Sequence, residues 1–129
     1  MNSESCPFCP PRSSRIVEST EVGWIVRDAY PVTPGHTLVI PKRHVGSFFD
    51  LTSDEQRALI ELLARAKIQV DSEHRPSAYN VGINDGLAAG QTVPHAHIHL
   101  IPRYDGDSDD PRGGVRWVVP DKADYWSQE

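Results

Sequence analysis

Three of the six histidines fall at every second position in the stretch Pro94-His95-Ala96-His97-Ile98-His99-Leu100. Successive side chains of an extended strand point to opposite faces. The spacing therefore predicts His95, His97 and His99 on one face and Ala96, Ile98 and Leu100 on the other. The apolar face suits a core. Three imidazoles buried together would need more hydrogen-bond partners than a core supplies. Imidazole changes charge near neutral pH and serves as nucleophile, general acid or metal ligand, so the histidine face is expected to be chemical.

The rest of the chain sets the scale of the fold. With 129 residues, one domain spanning 1–129 around a single core is expected. Composition is that of a soluble protein, 38% hydrophobic and 24% charged, with no apolar run approaching the roughly 20 residues that cross a bilayer. Met1-Asn2-Ser3-Glu4-Ser5 has neither a basic start nor an apolar segment of the secretory kind, so a cytoplasmic location is expected. A net charge of -5 argues against a nucleic-acid partner, although local basic groups could hold a small polyphosphate. Two cysteines, Cys6 and Cys9, are too few for a disulfide framework; in Cys-Pro-Phe-Cys they read as a metal or redox pair, or as free thiols in a loose tail.

Apolar and β-branched runs predict strands over 15–19, 22–28, 36–41 and 78–84, before the histidine strand. The segment from Thr52 is the clearest helix. Thr52 and Glu55 stand at capping-box spacing, and Leu59, Leu63, Ala66 and Val70 form a stripe that should end near His74, before Pro76. Ile60, Leu62 and Ile68 lie outside that stripe and suit either a partner subunit or a broader core. The outcome is an α+β architecture, an antiparallel five-stranded sheet with one long helix and a short helix. Beyond Pro102 come an acidic run and Pro111-Arg112-Gly113-Gly114-Val115-Arg116-Trp117. These arginines could hold phosphate oxygens, or the extension 104–129 could simply pack on the body.

The run His95-Ala96-His97-Ile98-His99-Leu100-Ile101 resembles the histidine triad signature, alternating histidine and apolar residues. Asn84, Gly90-Gln91-Thr92 and Pro34-Gly35-His36-Thr37-Leu38-Val39-Ile40-Pro41 resemble members of the same superfamily at matching spacings, so the likeness covers about 6–103. It implies the histidine triad fold and a nucleotidyl hydrolase or transferase that cleaves at an α-phosphate. His97 would be the nucleophile, forming a nucleotidyl-histidine that water cleaves. Catalytic roles also fall to His99 and Gln91, and nucleotide binding to Asp28, His36, Asn84, Gln91, Thr92, His97 and His99. Taken alone, Asp28 also reads as a solvated turn residue and His36 as the half-exposed start of a strand.

The resemblance further implies a structural zinc held by Cys6, Cys9, His44 of Pro41-Lys42-Arg43-His44, and His95. It also implies a homodimer. Gly-Gln-Thr-Val and Pro102-Arg103 resemble the diadenosine-polyphosphate-hydrolysing branch, which makes diadenosine polyphosphate the expected substrate. A nucleoside phosphoramidase and a non-catalytic nucleotide-binding protein are the alternatives. A catalytic metal on the three alternating histidines is weaker, because such sites usually recruit a carboxylate that this strand does not plainly offer.

Overall fold

A computed structural model describes residues 5–128. Five strands, β1 (Ile16–Ser19), β2 (Gly23–Arg27), β3 (Thr37–Pro41), β4 (Ala78–Gly82) and β5 (Ile98–Arg103), and one long helix, α1 (Ser53–His74), form the body. The sheet order is β1-β2-β3-β5-β4, with every neighbouring pair antiparallel. The expected α+β architecture is therefore present. The other helical segments among the described residues are short 3-10 turns.

β3 lies at the centre, and all five of its residues are buried, as a strand covered on both faces requires. On one face, Ile25, Val39, Ile98 and Leu100 pack under Leu59, Leu62, Ala66 and Val70 of α1. Gly23 sits under the helix where space runs out: an added Cβ would lie 2.6 Å from the Ile40 carbonyl oxygen and 2.9 Å from Leu59 Cδ2. On the other face, Val26, Leu38 and Ile40 pack with Phe8, Ile16 and Trp24. The register places Ile16 beside Val26, Val26 beside Leu38, Leu38 beside His99, and His99 beside Gly82. One transverse row thus runs across all five strands, apolar on the β1 side and carrying an imidazole at β5.

The helix begins as its sequence directs. Thr52 Oγ1 accepts from the Glu55 amide, and the Glu55 carboxylate accepts from the Thr52 amide, which satisfies N-terminal N–H groups. It ends at Arg75 in the left-handed conformation, φ 51°, immediately before Pro76. The buried stripe differs from expectation at one position. Leu62 is in the core and Leu63 is only partly buried, because the sheet lies a little to one side of the predicted stripe. Ile60 and Ile68 are 53% and 68% exposed.

Strand limits are tighter than the apolar runs suggested. β5 starts at Ile98, so His95 and His97 occupy its approach and only His99 is in the paired strand. Asp28 lies just past β2, His36 just before β3, and Asn84 beyond the end of β4. These side chains are therefore held at strand ends, where a rigid sheet can present loop residues to a ligand.

The tail folds on itself. Arg116 donates to the carbonyls of Ala123 (3.1 Å) and Lys122 (2.6 Å) and lies over Tyr125. Arg112 pairs with Asp110 at 2.9 Å and lies over Trp126. Both guanidiniums are engaged within the extension, which favours packing over a phosphate clamp.

Candidate functional site

The approach to β5 is pinned on both sides. The Ala96 amide donates to the Val45 carbonyl at 2.8 Å, and His95 is completely buried. His95 Nε2 is 2.7 Å from the Pro41 carbonyl oxygen. A carbonyl only accepts, so the proton resides on Nε2 and the Nδ1 lone pair points elsewhere. It points into a cluster. His95 Nδ1 stands 3.4 Å from Cys6 Sγ, 3.3 Å from Cys9 Sγ and 3.0 Å from His44 Nδ1; Cys9 Sγ is 3.3 Å from His44 Nδ1.

The four ligand atoms lie within 4.8 Å of one another. Ligands of a tetrahedral zinc at about 2.0 to 2.3 Å from the metal stand roughly 3.3 to 3.8 Å apart, so this Cys2His2 set is close to the size the ion needs. The carbonyl of Pro41 provides the outer hydrogen bond that orients a ligating imidazole. Burial, then the neighbouring Cys6 thiol, push the Cys9 thiol up to about 11. The Cys9 thiol thus resists ionising without a cation, and a divalent ion reverses that preference. The donor set therefore fits zinc. Of the alternatives for this segment, a loose tail with free thiols is not what is found: Cys6 and Cys9 both stand against imidazoles of the body.

Two residues on, His97 Nδ1 is 2.8 Å from the His95 carbonyl oxygen, so Nδ1 is protonated and Nε2 carries the free lone pair. Nε2 has no partner among the described residues. A second imidazole chain fixes His99. The Val32 amide donates to His36 Nδ1 at 3.1 Å, which leaves the proton on His36 Nε2. That N–H faces His99 Nδ1 at 3.0 Å, with Asp28 Oδ2 at 3.4 Å. His99 accepts at Nδ1, and its own proton sits on Nε2. His97 presents a lone pair and His99 a donor, with ring centroids 5.0 Å apart.

Burial holds His99 down to about 4, aided by His97 and His36. Burial also lowers His36, against the opposing pull of Asp28. Both rings are neutral at pH 7. Because the folded-state values lie below the ordinary 6.5, the unfolded chain takes up protons first, and stability falls as pH drops from 6.5 towards 4. His99 accounts for up to about 3 kcal/mol of that fall. Thermal midpoints followed from pH 7 to 4.5 should decline, and decline less in H99N; a flat profile would contradict the buried neutral pair.

A cavity of about 820 Å³ opens beside these rings, lined by His97, His99, Asp28, Asn84, Gln91 and Thr92 together with Phe8, Val26 and Leu38. His36 is buried behind His99. Asp28 Oδ1 accepts from the Tyr30 amide at 2.8 Å, which orients the carboxylate. Gln91 lines the cavity, but its amide is turned to the loop: Nε2 donates to the carbonyls of Gly46 (2.8 Å) and Val93 (3.1 Å), and Oε1 accepts from the Gly86 amide (2.8 Å). It braces the loop rather than presenting free donors. Asn84 and Thr92 are exposed at the rim.

Phe8 went unnoticed in the sequence. It packs edge-on to His97, centroids 5.2 Å apart, and to His95 at 5.9 Å. Its place between Cys6 and Cys9 was the available signal: a loop anchored at both ends must press its middle against something. Arg12 and Arg15, which also line the cavity, were missed as well.

A family model described as the HIT domain matches residues 12–106. The asymmetrical bis(5'-nucleosyl)-tetraphosphatase of Schizosaccharomyces pombe is 39% identical over 97 residues, 75% of this chain and 53% of that protein. The bifunctional bis(5'-adenosyl)-triphosphatase/adenylylsulfatase FHIT of Arabidopsis thaliana is 39% identical over 89 residues, 69% of this chain and 49% of that protein. The chain thus spans about half the length of these curated relatives. Among solved structures, a Zn-bound histidine triad family protein from Mycobacterium smegmatis aligns at TM-score 0.71 and 33% identity, over 99% of this chain and 100% of that one. A HIT family protein from Bacillus anthracis aligns at 0.75 and 34%, over 82% and 78%. With the alternating imidazoles in place at the approach to β5, and the match running through every strand of the sheet, this chain belongs to the HIT domain family.

Proposed function

We propose that the chain is a nucleotidyl hydrolase or transferase that cleaves the α-phosphate linkage of dinucleoside polyphosphates through a covalent intermediate on His97. The observation that carries this reading is the 2.8 Å contact between His97 Nδ1 and the His95 carbonyl. It fixes the tautomer in which Nε2 is a nucleophile, at the wall of a nucleotide-sized cavity. Names of relatives that act on dinucleoside tetra- and triphosphates support the substrate class.

The Nε2 lone pair attacks the α-phosphorus, and the bond to the departing phosphate oxygen breaks with its electron pair going to that oxygen. Water then attacks the same phosphorus and releases its proton, and the P–N electron pair returns to Nε2. His99 Nε2–H donates to a phosphoryl oxygen as charge develops. His36 is a positioning residue for His99. Asp28 accepts from the ribose hydroxyls, Asn84 and Thr92 meet the departing chain, and Gln91 holds the loop that carries Thr92.

Cys6, Cys9, His44 and His95 hold a structural zinc in this reading, supported by their spacing and by the Mycobacterium smegmatis relative. Bound there, the ion supplies charge to two thiolates and an anchor for the N-terminal segment, not a reacting group. The protein is read as cytoplasmic and homodimeric, with the exposed Ile60 and Ile68 of α1 available to an interface. A monomer mass by light scattering at micromolar concentration would contradict the dimer.

The deciding experiment follows diadenosine tetraphosphate labelled at the α-phosphorus. Brief incubation and quenching should leave acid-labile label on His97. Absence of label together with absence of turnover would point to a binding protein. Rapid cleavage of an adenosine phosphoramidate with negligible cleavage of the polyphosphate would overturn the substrate class.

A further inference from the structure

We propose that Arg15, with Arg12 beside it, reads the outer edge of the base and gives the site a preference for guanine nucleotides. The proposal rests on His97 being the group that meets the α-phosphorus. Strands about 4.8 Å apart place β1 roughly 14 Å from β5 across the sheet. The row between them is apolar, Val26 and Leu38, with Phe8 packed against the same patch. A nucleotide with its phosphorus at His97 and its ribose at Asp28 therefore lays its base over Val26 and Leu38, with the outer edge towards β1. Measured from phosphorus to the outer edge of the base, a purine nucleotide spans most of that distance; a pyrimidine nucleotide falls short.

What stands at that end is basic. Arg12 caps the 3-10 turn Ser13–Arg15, and Arg15 closes it directly before β1. Arg12 is extended and Arg15 ends the turn, and both line the cavity. Arg15 is half-buried, yet neither guanidinium has an ion-pair, hydrogen-bond or ring partner among the described residues. Arg27 at the same rim differs: it bonds Thr37 Oγ1 at 2.6 Å and Glu73 at 3.0 Å. A guanidinium at the cavity wall with no acceptor among the described residues is open to a ligand that brings one.

The ligand that supplies acceptors there is guanine. Its O6 and N7 together match the guanidinium fork, whereas adenine places an amino donor where O6 would be. Departing phosphates are the other acceptor-rich group, but Asn84, placed on the departing chain, follows β4 at the opposite edge of the sheet.

The test is calorimetric titration of the full chain with GMP and with AMP, repeated on R15A and R15K. GMP should bind the unsubstituted protein about 10- to 100-fold more tightly, the discrimination of a bidentate arginine–guanine pair. Both variants should bring the ratio to within about threefold, R15K because it keeps charge but loses the fork. Thermal midpoints close to that of the unsubstituted chain confirm that the variants fold. Equal affinities in the unsubstituted protein, or a ratio unchanged in both variants, would overturn the assignment. Turnover of diguanosine and diadenosine tetraphosphate separates the two readings. Turnover without base preference sinks this proposal alone; base preference in binding without turnover sinks the catalytic reading alone. Binding of neither nucleotide sinks both.

Discussion

Replacing His97 by glycine should lower kcat/KM for a dinucleoside polyphosphate by at least about 10⁴-fold, some 5.5 kcal/mol of lost transition-state stabilisation. The attacking atom is itself removed, and among the described residues no second imidazole presents a free lone pair to the cavity. His99 accepts at Nδ1 from His36 and so presents only a proton to the cavity. His95 is buried, with Nδ1 turned to the cysteines. The fold should tolerate the change, because among the described residues the His97 side chain makes a single hydrogen bond, to the His95 carbonyl. Nucleotide binding by calorimetry should therefore persist while product formation by chromatography stops. Turnover within tenfold of the unsubstituted protein would eliminate the covalent route.

The second large effect is expected from the cysteines. C6S and C9S should each reduce zinc content from about one per chain to near zero, since a three-ligand remnant loses the closed shell of a structural site. The buried His95 Nδ1 is then left facing a sulfur and an imidazole without the charge that organised them. Losing the anchor and a buried ligand set should cost about 3 kcal/mol, which for a chain of this size lowers the thermal midpoint by roughly 10 °C. Activity should fall too, because Phe8 packs on His97 only while its segment is tied down. Elemental analysis and thermal unfolding of protein purified without chelator provide the check. Unchanged metal content and midpoint in both variants would refute a structural zinc.

The readable parts of the chain were those where one residue type has few uses. A period-two run of histidines, a Cys-Pro-Phe-Cys spacing and a Thr–Glu capping box each admit a short list of structures: the capping box sits where its spacing placed it, the two thiols stand beside His44 and His95, and of the three alternating imidazoles only His99 lies in the paired strand. The helix stripe was less legible. Leu62 and Leu63 are equally apolar, and which of them faces the sheet depends on a small rotation of α1, whose Leu59 and Leu62 pack over Gly23 of β2. Gln91 was harder still. Its residue type suits a phosphate contact, but whether an amide meets ligand or backbone depends on carbonyls of Gly46 and Val93 brought together only by the folded loop. The tail arginines show the same limit, since Tyr125 and Trp126 return to cover them. Phe8 gives the reverse case, an ordinary aromatic in the sequence made functional by its anchored neighbours.

His95 takes part in two structures at once: its ring faces the sulfurs, and its carbonyl receives the proton of the next imidazole along. Architecture and reactivity are thereby hinged on a single backbone unit, with no intervening side chain to absorb slack. On the proposed reading, exchanging the ion at the first position for a larger or differently coordinated one should re-aim the His97 ring, so metal substitution would offer a way to tilt the proposed nucleophile without altering a codon.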